Sequence, residues 1–531
     1  EDALRGLKYD VSTIKEALGK LDLNKYFVGI DVGTNETKGI LIDEQGREVV
    51  SASTTHGVDN PKPNYFEHDA DKVWYKDICI ISQKLLNQSK VNPEDIKCIG
   101  VSALSSDCLP VDIHGKPLRK AILYGIDARA MAECQELTDK WGENKVIELF
   151  GRPLGASDIA PKILWIKNNE PEVYAKTYKF LTASSYITYK LTGNYTIDNF
   201  LGLASFNPLY NRNGSINMQY ADGICTARQL AELKKTTDIA GYITDEASKD
   251  TGLAIGTAVI TGGDDSGAEA ISSGVMAPGD MLIQMGSTAY MILCTDKLYD
   301  DERLWREEFI VPYTYDVSAG TNTSGALTKW IRDTFYLDKV HEQEQGGINA
   351  YQAMMQDLKE IPIGSEGLVV LPYFAGERTP INDAHAKGVI FGLNLAHTRK
   401  HIMRVAYESV CYSIKHHFEI FKELQIPINQ IMVTGGGTKN EQWIQMLSDV
   451  LGIRLQTPSV TIGACYGDAL MAMIGANHIN NFTEAKKLID IGKVYYPNLE
   501  NTLKYEPYYK MYIELYKQNK KLMAMMDKIN Q

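Results

Sequence analysis

A doubled carboxylate inside a glycine turn, Gly262-Gly263-Asp264-Asp265-Ser266-Gly267, is the strongest candidate for acid–base chemistry in this chain. It follows the apolar run Ala258-Val259-Ile260 and precedes the small residues Ala268 to Gly274, the pattern of a strand end, a turn and a helix start. Glycine lets backbone and ligand approach closely, and a carboxylate on such a turn points beyond the strand, where it can take a proton from a bound hydroxyl. Asp is also a preferred helix N-cap, so the doublet alone fits either role.

A second group of residues suits polyphosphate. Phe27-Val28-Gly29-Ile30-Asp31-Val32 leads through Gly33-Thr34-Asn35-Glu36 into Thr37-Lys38-Gly39-Ile40-Leu41-Ile42-Asp43, a hairpin that Gln45-Gly46 turns again into a third strand from Arg47 to Ser53. Backbone N–H groups, the Thr34 and Thr37 hydroxyls and the Asn35 amide can cradle oxygens, Lys38 adds a point charge, and Asp31 can hold a hydrated magnesium ion. An ordinary polar hairpin would look the same, but the plan recurs. Residues 280–294 again read as strand, Gly286-Ser287-Thr288 turn and strand. Residues 430–440 form a strand ending in Gly435-Gly436-Gly437, followed by Trp443, Met446, Leu447, Val450 and Leu451 at helical spacing. A glycine-rich strand-to-helix turn lets a base or a phosphate lie on backbone. Two related lobes closing on one nucleotide account for all three.

The elements that must position these groups need more than one core, since 531 residues imply two or three domains. A net charge of −12 without a basic block argues against nucleic acid and acidic membrane as partners. No apolar run approaches the ~20 residues that span a bilayer, which with the missing signal-peptide pattern points to the cytoplasm. The eight cysteines are scattered without a CxxC pair, so they read as small buried hydrophobes, not as a disulfide framework or zinc site. Leu4, Leu7, Val11, Ile14 and Leu18 have helical spacing, an amphipathic extension over residues 1–24, appended or processed, ahead of the first strand.

Taken together these motifs resemble the FGGY carbohydrate kinases, within the actin-like ATPase superfamily. Further segments carry the resemblance: Ile96 to Ser102 with Gly115 to Leu123, Pro161-Lys162-Ile163-Leu164-Trp165 with Asn169 to Glu172, and Tyr186 to Gly193. In the second half it lies in Gly388-Val389-Ile390-Phe391-Gly392-Leu393, His401-Ile402 and Ala406-Tyr407-Glu408, with Val405 where the family signature has Ala or Ser. The resemblance implies an α/β fold of two actin-like (ribonuclease H-like) lobes, 26–272 and 273–531, with a central cleft for nucleotide and sugar, and a homodimer through the second lobe. It implies ATP and magnesium as cofactors, with Asp31 as the metal partner. It places the base at Asp265, with Asp264 outside the usual glycine pattern, and the nucleotide on Thr34, Asn35, Lys38, Gly286, Ser287, Thr288, Gly325, Gly436 and Asn440.

Sugar contacts fall by resemblance on Ser105, Ser106, Asp107 and Asp265. Ser105 and Ser106 stand where xylulose kinases have Met-His and glycerol kinases Arg-Glu, so they do not name the sugar. Asp127 and Arg129 fit either a structural ion pair or a substrate contact, and His68 reads as part of a loop at the lobe edge. Tyr313, Tyr315, Tyr373 and Phe374 read as packing aromatics, and Tyr509, Tyr512, Leu515 and Tyr516 as one face of a C-terminal helix docked on its lobe. The expected activity is ATP-dependent phosphorylation of a ketose such as D-xylulose. Alternatives are ribulose, gluconate, erythritol, glycerol or another linear ketose as acceptor, a non-catalytic actin-like nucleotide-binding protein, or a chaperone-type ATPase.

Overall fold

Phe27 to Ile30 are all buried because Tyr26–Val32 is an inner strand covered on both faces, which is why it reads as a continuous apolar run. It pairs antiparallel with Glu36–Asp43 and parallel with Ile96–Ala103. Glu48–Thr55 closes that side of the sheet, and its polar alternation suits an edge. The order across the sheet is Ile239–Tyr242, Ala258–Ile260, Ile96–Ala103, Tyr26–Val32, Glu36–Asp43, Glu48–Thr55, with Gly263–Asp264 continuing beside Ile96–Ala103.

The computed structural model describes residues 24–459 and 463–529 of the chain; the amphipathic stretch Leu4 to Leu18 lies outside them. It divides into two compact units, neither continuous in sequence. Within the described residues the first comprises 24–140, 154–272 and 463–488, the second 141–153, 273–459 and 489–529. The expected split at 272/273 therefore misses two exchanged segments. The reason for the larger one is close backbone approach: a Cβ on Gly29 would stand 1.9 Å from the Cys465 carbonyl oxygen, and one on Gly100 2.3 Å from that of Asp468. Helix Ala464–Gly475 lies directly on those glycines. On the opposite face, Gly39 admits Ile81 of helix Lys76–Ser89.

The second unit repeats the scheme. Asp280–Met285 pairs antiparallel with Ala289–Thr295 and parallel with Gln430–Thr434. Tyr315–Thr321 and Trp305–Glu308 extend one side, Leu455–Pro458 and Ile491–Tyr495 the other. Its core is sealed by helices Arg399–Glu423 and Leu499–Ile529, with Tyr505, Tyr509, Tyr512, Leu515 and Tyr516 buried as their spacing predicts. Cys79 is half-buried, the other cysteines are buried, and all eight are free thiols. Among the described residues no helix is long and apolar enough to cross a membrane.

Candidate active site

The doubled Asp divides its roles by geometry. Gly262 has φ +77°, and a Cβ there would sit 2.0 Å from the Val101 carbonyl, so the turn into Gly263–Asp264 needs glycine. Asp264, fully buried, caps helix Asp265–Ser272: one oxygen accepts from the Gly267 N–H at 3.0 Å, the other from the Ser105 hydroxyl at 2.8 Å and the Ser266 hydroxyl. Asp265 accepts from the adjacent Ser266 N–H at 2.8 Å and is otherwise uncommitted among the described residues. Its carboxyl is held well above the ordinary range by burial, then by the neighbouring Asp31 and Asp264 charges. An uncommitted carboxylate with a raised pKa is what a general base near neutral pH requires.

Beside this turn, in the same unit, the Ser102 hydroxyl stands 2.8 Å from Asp31 and 2.6 Å from Asp468. A hydroxyl has one proton, so one of the two carboxyls must supply the other. Burial favours the proton on Asp468, which is fully buried, whose second oxygen has no partner among the described residues, and whose pKa burial drives well up. Asp31 is pushed up to about 7, chiefly by burial, with Ser102 opposing and the Glu269 and Asp264 charges adding. Among the described residues no three metal-ligating side chains form a cage. The half-open Asp31 with acidic neighbours fits the other mode, in which magnesium keeps most of its water and is shared between one carboxylate and the phosphates.

The first phosphate-type turn is closed by Gly33 N–H donating to Glu36 at 2.9 Å. Thr34 shares a 2.9 Å hydroxyl contact with Tyr124, and Asn35 is exposed at the tip. Lys38, in register opposite Asp31, is half exposed 3.4 Å from Glu36 and free to swing to an anion.

In the second unit, a cavity of about 1330 Å³ is lined by Gly286, Ser287, Gly325, Gly436 and Asn440 together with Tyr351 and Tyr407. Ser287 and Thr288 are exposed on the hairpin turn, and Gly325 opens helix Gly325–Phe335 so close to it that a Cβ would meet the Gly286 carbonyl at 2.6 Å. Gly435 and Gly437 abut Met285, whereas a Cβ on Gly436 meets nothing within 4 Å. Asn440 caps helix Glu441–Leu451 through Trp443 N–H at 3.1 Å and turns its amide nitrogen to the Met355 sulfur at 2.9 Å. The same side chain also hydrogen-bonds the buried Tyr407 phenol.

On the sugar side, Ser105 joins Asp264 directly, as above. Ser106 adopts φ +59°, is buried, and pairs with Ser205 at 2.8 Å. Asp107 has no exposed surface, and among the described residues neither of its oxygens has a partner at hydrogen-bonding geometry. Burial raises its pKa strongly, the nearby buried Lys162 ammonium opposing. Lys162 itself donates to the Ser106 and Leu123 carbonyls, both at 2.7 Å. Ser106 and Asp107 therefore shape the loop from inside, and Ser105 is the member of the trio that is partly open.

Asp127 and Arg129 form a buried ion pair at 2.7 Å, tied further to Glu67 at 2.9 Å and stacked between Tyr65 and Trp165. The ion pair that the structural alternative expects is present. Arg129→Ala is expected to destabilise the first unit by about 3–5 kcal/mol, because it strands a buried carboxylate; a denaturant midpoint reads the loss, with KM for sugar unchanged in the folded fraction. His68 is not in a loop but ends strand Tyr65–His68, buried, accepting from the Trp74 indole at 3.0 Å. Tyr373 packs in the core, Phe374 lies on Trp330, and Tyr313 is exposed.

Asp468 was not singled out from the sequence, although an Asp inside the apolar run Ala464 to Ile474 is a signal that it meets a polar partner. Ser102 and Tyr124 carry no comparable signal, since their partners are 71 and 90 residues away.

Residues 26–272 match the FGGY family of carbohydrate kinases, N-terminal domain, and residues 281–476 its C-terminal domain. Xylulose kinase of Staphylococcus xylosus is 28% identical over 495 residues, covering 92% of this chain and 99% of that protein. A gluconokinase of Bacillus subtilis is 26% identical, covering 88% and 91%. The crystal structure of xylulose kinase from Rhodospirillum rubrum superposes with a TM-score of 0.84 at 24% identity, covering 94% of this chain and 100% of the other. With the Asp264–Asp265 turn, both glycine-turn hairpins and the glycine-lined cavity in place, the chain belongs to the FGGY family of carbohydrate kinases, enzymes that phosphorylate sugars with ATP.

Proposed function

We propose that the sugar accepting the phosphoryl group is an open-chain ketose, D-xylulose first, and that Asp265 is the base. The observation that carries the base assignment is the division of the doublet, with Asp264 consumed as cap and Asp265 left with one local hydrogen bond. In this reading Asp265 orients the acceptor hydroxyl and takes its proton late, as the new O–P bond forms and the bond to the ADP oxygen breaks. Ser105, itself held by Asp264, contacts a hydroxyl of the sugar, while Ser106 and Asp107 fix the loop behind it. Thr34, Asn35, Lys38, Ser287, Thr288 and Gly325 hold phosphate oxygens, and Gly436 and Asn440 the base. A magnesium ion beside Asp31 would offset charge on the phosphates.

The xylulose assignment is supported by the relatives named xylulose kinase, which span nearly the whole chain. A second acceptor, gluconate, is favoured by the gluconokinase relatives and by the absence of the Met-His pair at Ser105-Ser106. ADP release measured with D-xylulose, L-xylulose, ribulose, gluconate, glycerol and erythritol separates them. D-xylulose is expected to give the highest kcat/KM, and a higher value for gluconate or any other acceptor would replace it.

A further inference from the structure

The turn carrying Thr34 is braced by a histidine that belongs to no motif. His56 lies just beyond strand Glu48–Thr55, and its backbone N–H donates to the Asn35 carbonyl at 2.9 Å. Its ring Nε2 is 3.0 Å from both the Gly33 and Thr34 carbonyl oxygens, and Nδ1 is 2.7 Å from Asp77 Oδ2. Carbonyls only accept, and that Asp77 oxygen also accepts from the Thr37 hydroxyl at 2.7 Å. A neutral imidazole has one N–H and cannot serve acceptors on both sides. Both side chains of the pair retain 6% exposure.

We infer that His56 is held as an imidazolium on Asp77 and is a positioning residue for the phosphate-binding turn, a role that rests on the proposed phosphate contacts of that turn. In a planar trans peptide the N–H points opposite to the C=O. Fixing the Gly33 and Thr34 carbonyls on His56 therefore turns the N–H groups of Thr34 and Asn35 to the other side of the loop. Among the described residues neither N–H donates elsewhere in the protein. Two aligned free N–H groups with a cation behind them form an anion cradle.

Two titratable side chains face the ring. Asp77 comes from helix Lys76–Ser89, and His68 from strand Tyr65–His68 meets it edge-on at 5.1 Å between ring centres. His68 is pushed down to about 4 by burial and by the His56 charge, with the Thr34 carbonyl and then Asp59 and Asp77 opposing more weakly. For His56, burial alone would lower the pKa, but the Asp77 hydrogen bond and charge and the two carbonyls outweigh it and raise it above 6.5. The bracing is thus fully present below pH 6.5 and is lost as pH rises through the raised value.

Calorimetric binding of ADP to the full chain between pH 6 and 9, with NMR of the His56 ring nitrogens in parallel, tests the assignment. Wild type is expected to lose affinity in one single-proton step of about tenfold, within the usual range of coupling between sites. By reciprocity ADP should raise the His56 pKa by about one unit. His56→Gln should bind more weakly and without the step, and Asp77→Asn should move the step to lower pH. A ring carrying one proton at pH 6.5, or the same pH profile in wild type and His56→Gln, overturns the inference. Thr34 and Asn35 amide N–H resonances that do not shift when ADP binds would instead overturn the phosphate reading of the turn, and with it the positioning role, even with the ring doubly protonated.

Discussion

Asp265→Asn is expected to lower kcat by about 10²–10⁴-fold while leaving the Kd for ATP within about twofold of wild type. The reason is local: Asp265 accepts from the Ser266 N–H at 2.8 Å, a bond that an Asn side-chain oxygen can also accept, so the helix start survives the change. What disappears is a group able to take a proton. Asp264→Ala should behave differently. Its carboxylate accepts from Gly267, Ser105 and Ser266, so removal costs about 1–2 kcal/mol as a lost cap and leaves hydroxyls unpaired, with a fall in thermal midpoint that Asp265→Asn does not show. Stopped assays for kcat, calorimetry for ATP and a thermal melt separate the two residues. Equal loss of turnover in both variants at unchanged stability would refute the division. Because burial and the Asp31 and Asp264 charges raise the Asp265 pKa, wild-type kcat/KM should fall as pH drops through a carboxyl value above the ordinary 3.8, and Asp265→Asn should lack that limb.

Gly436→Leu is expected to weaken ATP binding by about 10²-fold, near 2.7 kcal/mol, with the thermal midpoint unchanged. Among the described residues a Cβ at Gly436 meets nothing within 4 Å, and the residue lines the cavity of about 1330 Å³, so the side chain occupies the space proposed for the nucleotide without disturbing the fold. Gly437→Ala is the matched control. Its Cβ would stand 2.8 Å from the Met285 Cβ, so it should lower stability, with any loss of affinity following from that displacement. If Gly436→Leu binds ATP normally, the base does not lie on this turn.

The hairpins and the base turn were legible because each is local. An apolar run, a glycine turn and a second run imply paired strands wherever they occur, and the repetition at Gly33 and Gly286 exposed the internal duplication. Spacing likewise sufficed for the tyrosine face of the final helix, since periodicity and burial are linked within one element, whereas the two-lobed α/β class came from the family resemblance those motifs carry. Choices that depend on distant partners were not legible. The surroundings of the Asp127–Arg129 pair, Glu67, Tyr65 and Trp165, come from separate stretches of the chain. Asp264 caps through the nearby Gly267 N–H, but its second oxygen is taken by Ser105, 159 residues away. Asp468, which shares the Ser102 hydroxyl with Asp31, comes from a helix over 400 residues later in the chain, reached only because Gly29 and Gly100 let backbones touch. The charge of His56 follows from two carbonyls and a carboxylate on separate elements. Residue types and short spacings thus specify the chemistry on offer, while protonation states and roles depend on burial and on partners that long-range packing alone brings within hydrogen-bond reach.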